Sequence, residues 1–326
     1  MAENIDFSPE VLEIDAGAEV KRIATAIRSY LVEHKRKGAV VAMSGGIDSS
    51  VVAALCVHAL GPERVVGLLL PERDSAEETL RLSRMAADSL GIETVMEDIT
   101  GALEAVGCYS RRDQAIREVI PEFGADYRCK IVLPSVVDND SYRIFSVVAQ
   151  SPEGREIKAR LTPSAYLGVV AASNFKQRIR KLFEYYQADR LNYAVMGTPN
   201  RLEYDQGFFV KNGDGSADVK PIAHLYKTQV YQLAEHLGVP KEITARPPTT
   251  DTYSMPQSQE EFYFSLPYHE MDLCLYAWNN NIPAEQTAPV VGLTPEQVVR
   301  VFRDIDQKRK TNRYLHLPPQ LVEEIY

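Results

Sequence analysis

The chain has 326 residues, 45% hydrophobic and 25% charged, ample apolar material for one large domain or two modest ones. A formal net charge of -9 argues against non-specific nucleic-acid binding, which needs clustered lysine and arginine. Cys56, Cys108, Cys129 and Cys274 form no C-x-x-C pair and the histidines have no metal spacing; no apolar run reaches membrane-spanning length, and the acidic start MAENIDFSPEVLEID is no signal peptide, so the cytoplasm is expected.

Val20, Ile23, Ala24, Ile27 and Leu31 recur at helical spacing and predict an amphipathic helix. The apolar run 39–43 then predicts a strand buried on both faces. Ser44-Gly45-Gly46-Ile47-Asp48-Ser49-Ser50 follows, leading into a Val/Ala/Leu-rich helix that stops at Gly61-Pro62. A glycine turn between a buried strand and a helix start suits a phosphate. Backbone N–H groups approach closely, the serines add donors, and the helix end adds partial positive charge. No lysine follows the glycines, so the Walker pattern is not met, and two glycines do not make the dinucleotide fingerprint. Asp48 would repel phosphates unless a divalent cation lay between, which implies Mg2+. A plain N-cap is the simpler reading of Asp48.

Residues 64–70 predict a second buried strand, Ser75 with Glu78 a capping box for a helix to Leu90, and 94–99 a third strand. This alternation predicts an α/β fold, a doubly wound and mostly parallel sheet with its ligand beyond the strand C-termini. Residues 101–161 break the rhythm; 130–133, 142–150 and 156–161 are β-rich and predict a hairpin or three-stranded insertion. Thr162-Pro163 opens a long helix, expected to be interrupted near Ser173-Asn174. A strand over 191–196 runs into Gly197-Thr198, and Asn212-Gly213-Asp214-Gly215 marks a turn. A helix over 228–237, a loop over 246–258, an aromatic stretch and a final helix from the capping box at 294–297 complete the chain.

SGGIDSS resembles the loop of the ATP pyrophosphatases (the PP-loop enzymes), which cut ATP between its α- and β-phosphates to activate a carboxylate as an adenylate. N-x-x-x-R-x-R (Asn174, Arg178, Arg180), GT-x-N-x-x-E (197–203), GDG-x-AD (213–218) and LYKTQV (225–230) then follow in the order seen in NAD synthetases. The resemblance implies an adenine nucleotide alpha-hydrolase-like domain over 1–326, with 101–161 inserted. It assigns ATP to Ser44, Gly45, Gly46, Asp48, Ser49, Ser50, Arg178, Thr198 and Lys227, and Mg2+ to Asp48 and Glu203. Asp48, Lys227 and Asp218 are the implied catalytic residues. Arg180, Asp214, Asp218, Thr250, Asp251, Lys308 and Arg309 fall to the acceptor.

The implied reaction joins ammonia to the carboxylate of deamido-NAD through an acyl adenylate. The resemblance also implies a homodimer. No glutaminase domain is read in the chain, so ammonia is expected from solution or from a separate glutaminase. Gln307 stands where many ammonia-dependent members have His, Leu69 where an Arg is common, and 249–253 departs from the usual substrate loop. An amide ligase acting on another carboxylate therefore stays open. Negative charge and unpaired cysteines count against a tRNA-modifying enzyme, and Glu203, Asp218 and Lys227 together count against a non-catalytic nucleotide-binding module.

Overall fold

The computed structural model describes residues 7–135, 137, 144–249 and 252–325. β1 (Ala39–Ala42), β2 (Val65–Leu69), β3 (Glu93–Met96) and β7 (Ala194–Met196) form a parallel sheet in the order β3-β2-β1-β7. β4 (Arg128–Val132), β5 (Ser146–Gln150) and β6 (Glu156–Arg160) form a separate antiparallel sheet. The helices are α1 (Ala16–Glu33), α2 (Ile47–Leu60), α3 (Glu77–Leu90), α4 (Thr100–Ala105), α5 (Cys108–Arg117) and α6 (Pro163–Leu191), then α7 (Arg201–Gln206), α8 (Lys227–His236) and α9 (Lys241–Thr244), then α10 (Tyr268–Asn279), α11 (Ala284–Val291) and α12 (Pro295–Asn312).

Alternate side chains of the parallel strands enter two different cores. Ala39, Val41, Val65, Leu69 and Met196 pack with Ile27 of α1, Leu55 of α2, Leu82 of α3 and Leu233 of α8. Val40, Val66, Leu68 and Val195 pack on the opposite face with Leu103 of α4, Tyr109 of α5 and Ala188 of α6. Both faces of β1 and β2 are covered, which is why these two strands are apolar throughout rather than alternating, whereas the edge strand β3 is largely exposed. A third core joins Met271, Ala288 and Val301 of the last three helices to Leu12, and a fourth seats β4–β6 on Ile116 and Val169. No described helix is long and apolar enough to cross a membrane.

The sheet grows from β1 through β2 to β3 on one side and acquires β7 on the other, so the loop after β1 lies at the point where the strand order reverses. Such a point opens a crevice at the strand C-termini. Several local expectations differ. α6 runs unbroken for 29 residues through Ser173-Asn174, where no glycine or proline interrupts its hydrogen bonding. Asn192 in the left-handed conformation ends it, so β7 begins at Ala194 rather than at 191. The Ser75 hydroxyl accepts from Glu72 N–H instead of capping α3, which starts at Glu77. α4 and α5 precede the three-stranded sheet and were not foreseen.

Candidate active site

A cavity of 760 Å3 opens at the C-terminal ends of β1, β2 and β7, within the size range of small-molecule sites. Its floor is the 44–49 loop. Gly45 has φ +69°, and a Cβ there would lie 2.6 Å from the Thr79 carbonyl oxygen, so only glycine fits between the loop and α3. At Gly46 a Cβ would meet only Ser44 Oγ, at 3.4 Å; that side of the turn is open space facing the cavity. Ser49 Oγ lies 3.2 Å from Ser44 N–H, from which it accepts, and it donates to the Gly46 carbonyl at 3.0 Å. These bonds fix the turn and present the start of α2, with its unpaired N–H groups, to the cavity.

Asp48 is reached from two sides. Lys227 Nζ, at the first residue of α8, pairs with Asp48 Oδ2, and Asn200 Nδ2 donates to Asp48 Oδ1 at 3.0 Å. Asn200 is also the N-cap of α7: its Oδ1 accepts from Glu203 N–H at 3.2 Å, while its own N–H donates to Glu203 Oε2 at 3.1 Å. Gln259 Nε2 donates to Glu203 Oε1 at 3.1 Å. Lys227, Asp48, Asn200, Glu203 and Gln259 thus form one continuous chain of contacts. Burial, with Asp48 adding like charge, pushes the Glu203 carboxyl up to about 8. Burial disfavours the Lys227 ammonium, but Asp48 and Glu203 outweigh it and raise its pKa.

The remaining expected residues divide sharply. Ser44, Gly45, Gly46, Asp48, Ser49, Arg178, Arg180, Thr198, Glu203, Asp214 and Lys227 all line the cavity. Arg178 and Arg180 are steadied through Nε by the Lys211 and Leu70 carbonyls, at 3.3 and 3.4 Å. Asp214 Oδ1 accepts from Val210 N–H at 2.8 Å, and burial raises its carboxyl. Ser50 does not line the cavity: it is buried and its hydroxyl donates to the Gly46 carbonyl. Asp218 also lies outside the cavity lining, where its carboxylate accepts from Val195 N–H at 2.8 Å and ties β7 down. Lys308 and Arg309 also lie outside that lining. Lys308 Nζ donates to the Tyr263 carbonyl at 2.8 Å, and Arg309 forms a fork on Asp205 with both bonds at 2.7 Å, bracing α7. Thr250 and Asp251 lie outside the described residues.

Among the described residues no cluster of three or more His, Cys, Asp or Glu is placed to hold a metal. Two hard carboxylates, Asp48 and Glu203, the second pushed up by burial and then by the like charge of the first, nevertheless fit a magnesium ion that takes most of its ligands from phosphate and water. Asn200 and Gln259 were not among the expected residues. Asn200 three positions before Glu203 is a readable capping box, whereas nothing local marks Gln259.

A family model described as NAD synthase matches residues 19–124 and 144–315. An NH(3)-dependent NAD(+) synthetase of Rhizobium meliloti is 57% identical over 98% of this chain and 96% of its own length. Among solved structures, an NMN synthetase from Francisella tularensis superposes with a TM-score of 0.65 at 20% identity over 95% of this chain and 99% of that one. An NH3-dependent NAD synthetase from Campylobacter jejuni gives 0.63 at 21% identity over 95% and 100%. At those identities the structures speak for the fold alone.

Proposed function

The chain belongs to the NAD synthase family, and from that premise we propose that it is an ammonia-dependent NAD+ synthetase, a ligase that converts deamido-NAD to NAD+ with release of AMP and pyrophosphate. The observation that carries the reading is the meeting of the 44–49 loop, Asp48, Glu203 and Lys227 on one cavity at the switch point of the sheet.

The reaction balances in two steps. A carboxylate oxygen of deamido-NAD bonds to the α-phosphorus as the α–β bridging P–O bond breaks, leaving an acyl adenylate and pyrophosphate. Ammonia then adds to the activated carbonyl carbon, the C–O bond to AMP breaks, and a proton passes to solvent. The protein has little covalent chemistry to do; its work is alignment and charge stabilisation. Ser44, Gly45, Gly46 and Ser49 cradle the ATP phosphates at the start of α2, with Thr198 and Arg178 beside them. Lys227 offsets negative charge at the α-phosphate. Asp48 and Glu203 would hold a magnesium ion, whose contribution when bound is to neutralise the phosphates. Arg180 and Asp214 are left for the acceptor.

Leu167, Leu182 and Tyr186 on α6 are more than half exposed, and Leu167 and Arg178 of the same helix line the cavity rim. A second copy on that face makes the protein a homodimer. All four cysteines are free and buried, which suits a reducing compartment such as the cytoplasm. Ammonia arrives from solution or from a separate glutaminase.

The test is incubation with ATP, magnesium, ammonium and deamido-NAD, following AMP and NAD+ together. Equal yields are expected. AMP without NAD+, or turnover only with another carboxylate, would contradict the proposal.

A further inference from the structure

Lys227 occupies the first turn of α8, where its own N–H has no partner within the helix and where the helix end carries partial positive charge. Both features work against an ammonium that must stay charged and aimed at Asp48. The group that answers them comes from α10. Asp272 Oδ1 accepts from Lys227 N–H at 3.2 Å, while Oδ2 accepts from Thr228 N–H at 2.7 Å and from the Thr228 hydroxyl at 2.8 Å. Asp272 is wholly buried, and among the described residues it forms no ion pair with Lys or Arg. Its carboxyl is pushed up to about 7 by burial despite the three donors. A buried carboxylate is costly, and the three hydrogen bonds that offset this one all come from the first turn of α8.

We propose that Asp272 is a positioning residue for adenylation: it clamps the first two N–H groups of α8 and offsets the helix-end charge, so that the Lys227 ammonium holds its place between Asp48 and the phosphates. The proposal rests on the reading of Lys227 given above. Asp272 acts only through Lys227 and does not line the cavity.

The experiment compares wild type, Asp272→Asn, Thr228→Val and Thr228→Ser, with turnover normalised to the folded fraction. Wild type must first make AMP and NAD+; failure there overturns the activity itself, a distinguishable outcome. For Asp272→Asn, kcat should fall about 10- to 100-fold while KM for ATP and for deamido-NAD stays within about 3-fold, the split expected when transition-state alignment alone is lost. Thr228→Val, which keeps both backbone N–H bonds of the clamp but removes the hydroxyl, one of the two donors on Oδ2, should lose about 3- to 5-fold in kcat, and Thr228→Ser should restore it. If Asp272→Asn does not fold, the threonine pair decides. Unchanged kcat in folded Thr228→Val, or a loss confined to KM, would overturn the inference.

Discussion

Two buried charge networks lie on either side of the parallel sheet's C-terminal edge, and they are balanced differently. Around α5 and α6, Lys176 donates to Glu72 and Asp74 at 2.8 Å, Arg112 to Asp74 at 2.7 Å and to Asp113 at 2.9 Å, and Tyr109 to Glu72 at 2.7 Å. With Arg73 at 3.6 Å from Asp74, three cations face three carboxylates. Burial alone would raise Asp74, but Lys176 and Arg112 overcome it and hold its carboxyl below the ordinary range. In the cavity Lys227 pairs with Asp48, and among the described residues Glu203 beside them forms no ion pair and is pushed up to about 8. The first network is complete as it stands. The second is one cation short, which is how a site differs from a brace.

The sharpest way to break this contrast is to remove a carboxylate from the incomplete network. Asp48→Asn should cut AMP formation by about 1,000-fold or more, the scale of losing a principal electrostatic group. Its fold should survive, because Glu203 can ionise in place of Asp48 beside Lys227; circular dichroism and AMP release read the two effects. Removing a cation from the complete network should do the reverse. Lys176→Met leaves the buried Glu72 carboxylate without its cation and should cost about 3–5 kcal/mol in chemical denaturation, with turnover of the folded fraction nearly unchanged.

Titration sharpens the comparison further. Between the ordinary carboxyl range and about 8 the folded protein holds a proton on Glu203 that the unfolded chain has lost. Unliganded stability should therefore fall as pH rises through that window, and Glu203→Gln should remove that part of the slope in melting curves. The smallest effect belongs to Ser50→Ala, which removes only a hydroxyl bonded to Gly46 within α2. Turnover should stay within about 2-fold, since a single neutral hydrogen bond contributes about 1 kcal/mol to stability and this one touches no ligand surface.

Much of the sheet was legible because strands buried on both faces must be apolar throughout, and 39–43 and 64–70 are. α5 was not, because its buried face carries Arg112 and Asp113, whose mutual pairing hides the helical period. In the site, the residues that touch the cavity through backbone turns and strand ends were recoverable from local pattern. Ser50, Asp218, Lys308 and Arg309 stand in matching motifs, yet hydrogen bonds to Gly46, Val195, Tyr263 and Asp205 turn their side chains elsewhere. Gln259 and Asp272 were invisible for a different reason. Each acts on a residue 56 and 44 or 45 positions away respectively, a distance that only the folded chain closes.

The most direct measurement follows one oxygen atom. If the carboxylate of deamido-NAD attacks the α-phosphorus, acceptor labelled in that carboxylate with the heavy oxygen isotope must pass one labelled oxygen to AMP for each NAD+ formed. Mass spectrometry of the AMP should show that single transfer. AMP free of label, alongside NAD+ production, would mean that no acyl adenylate forms at this centre.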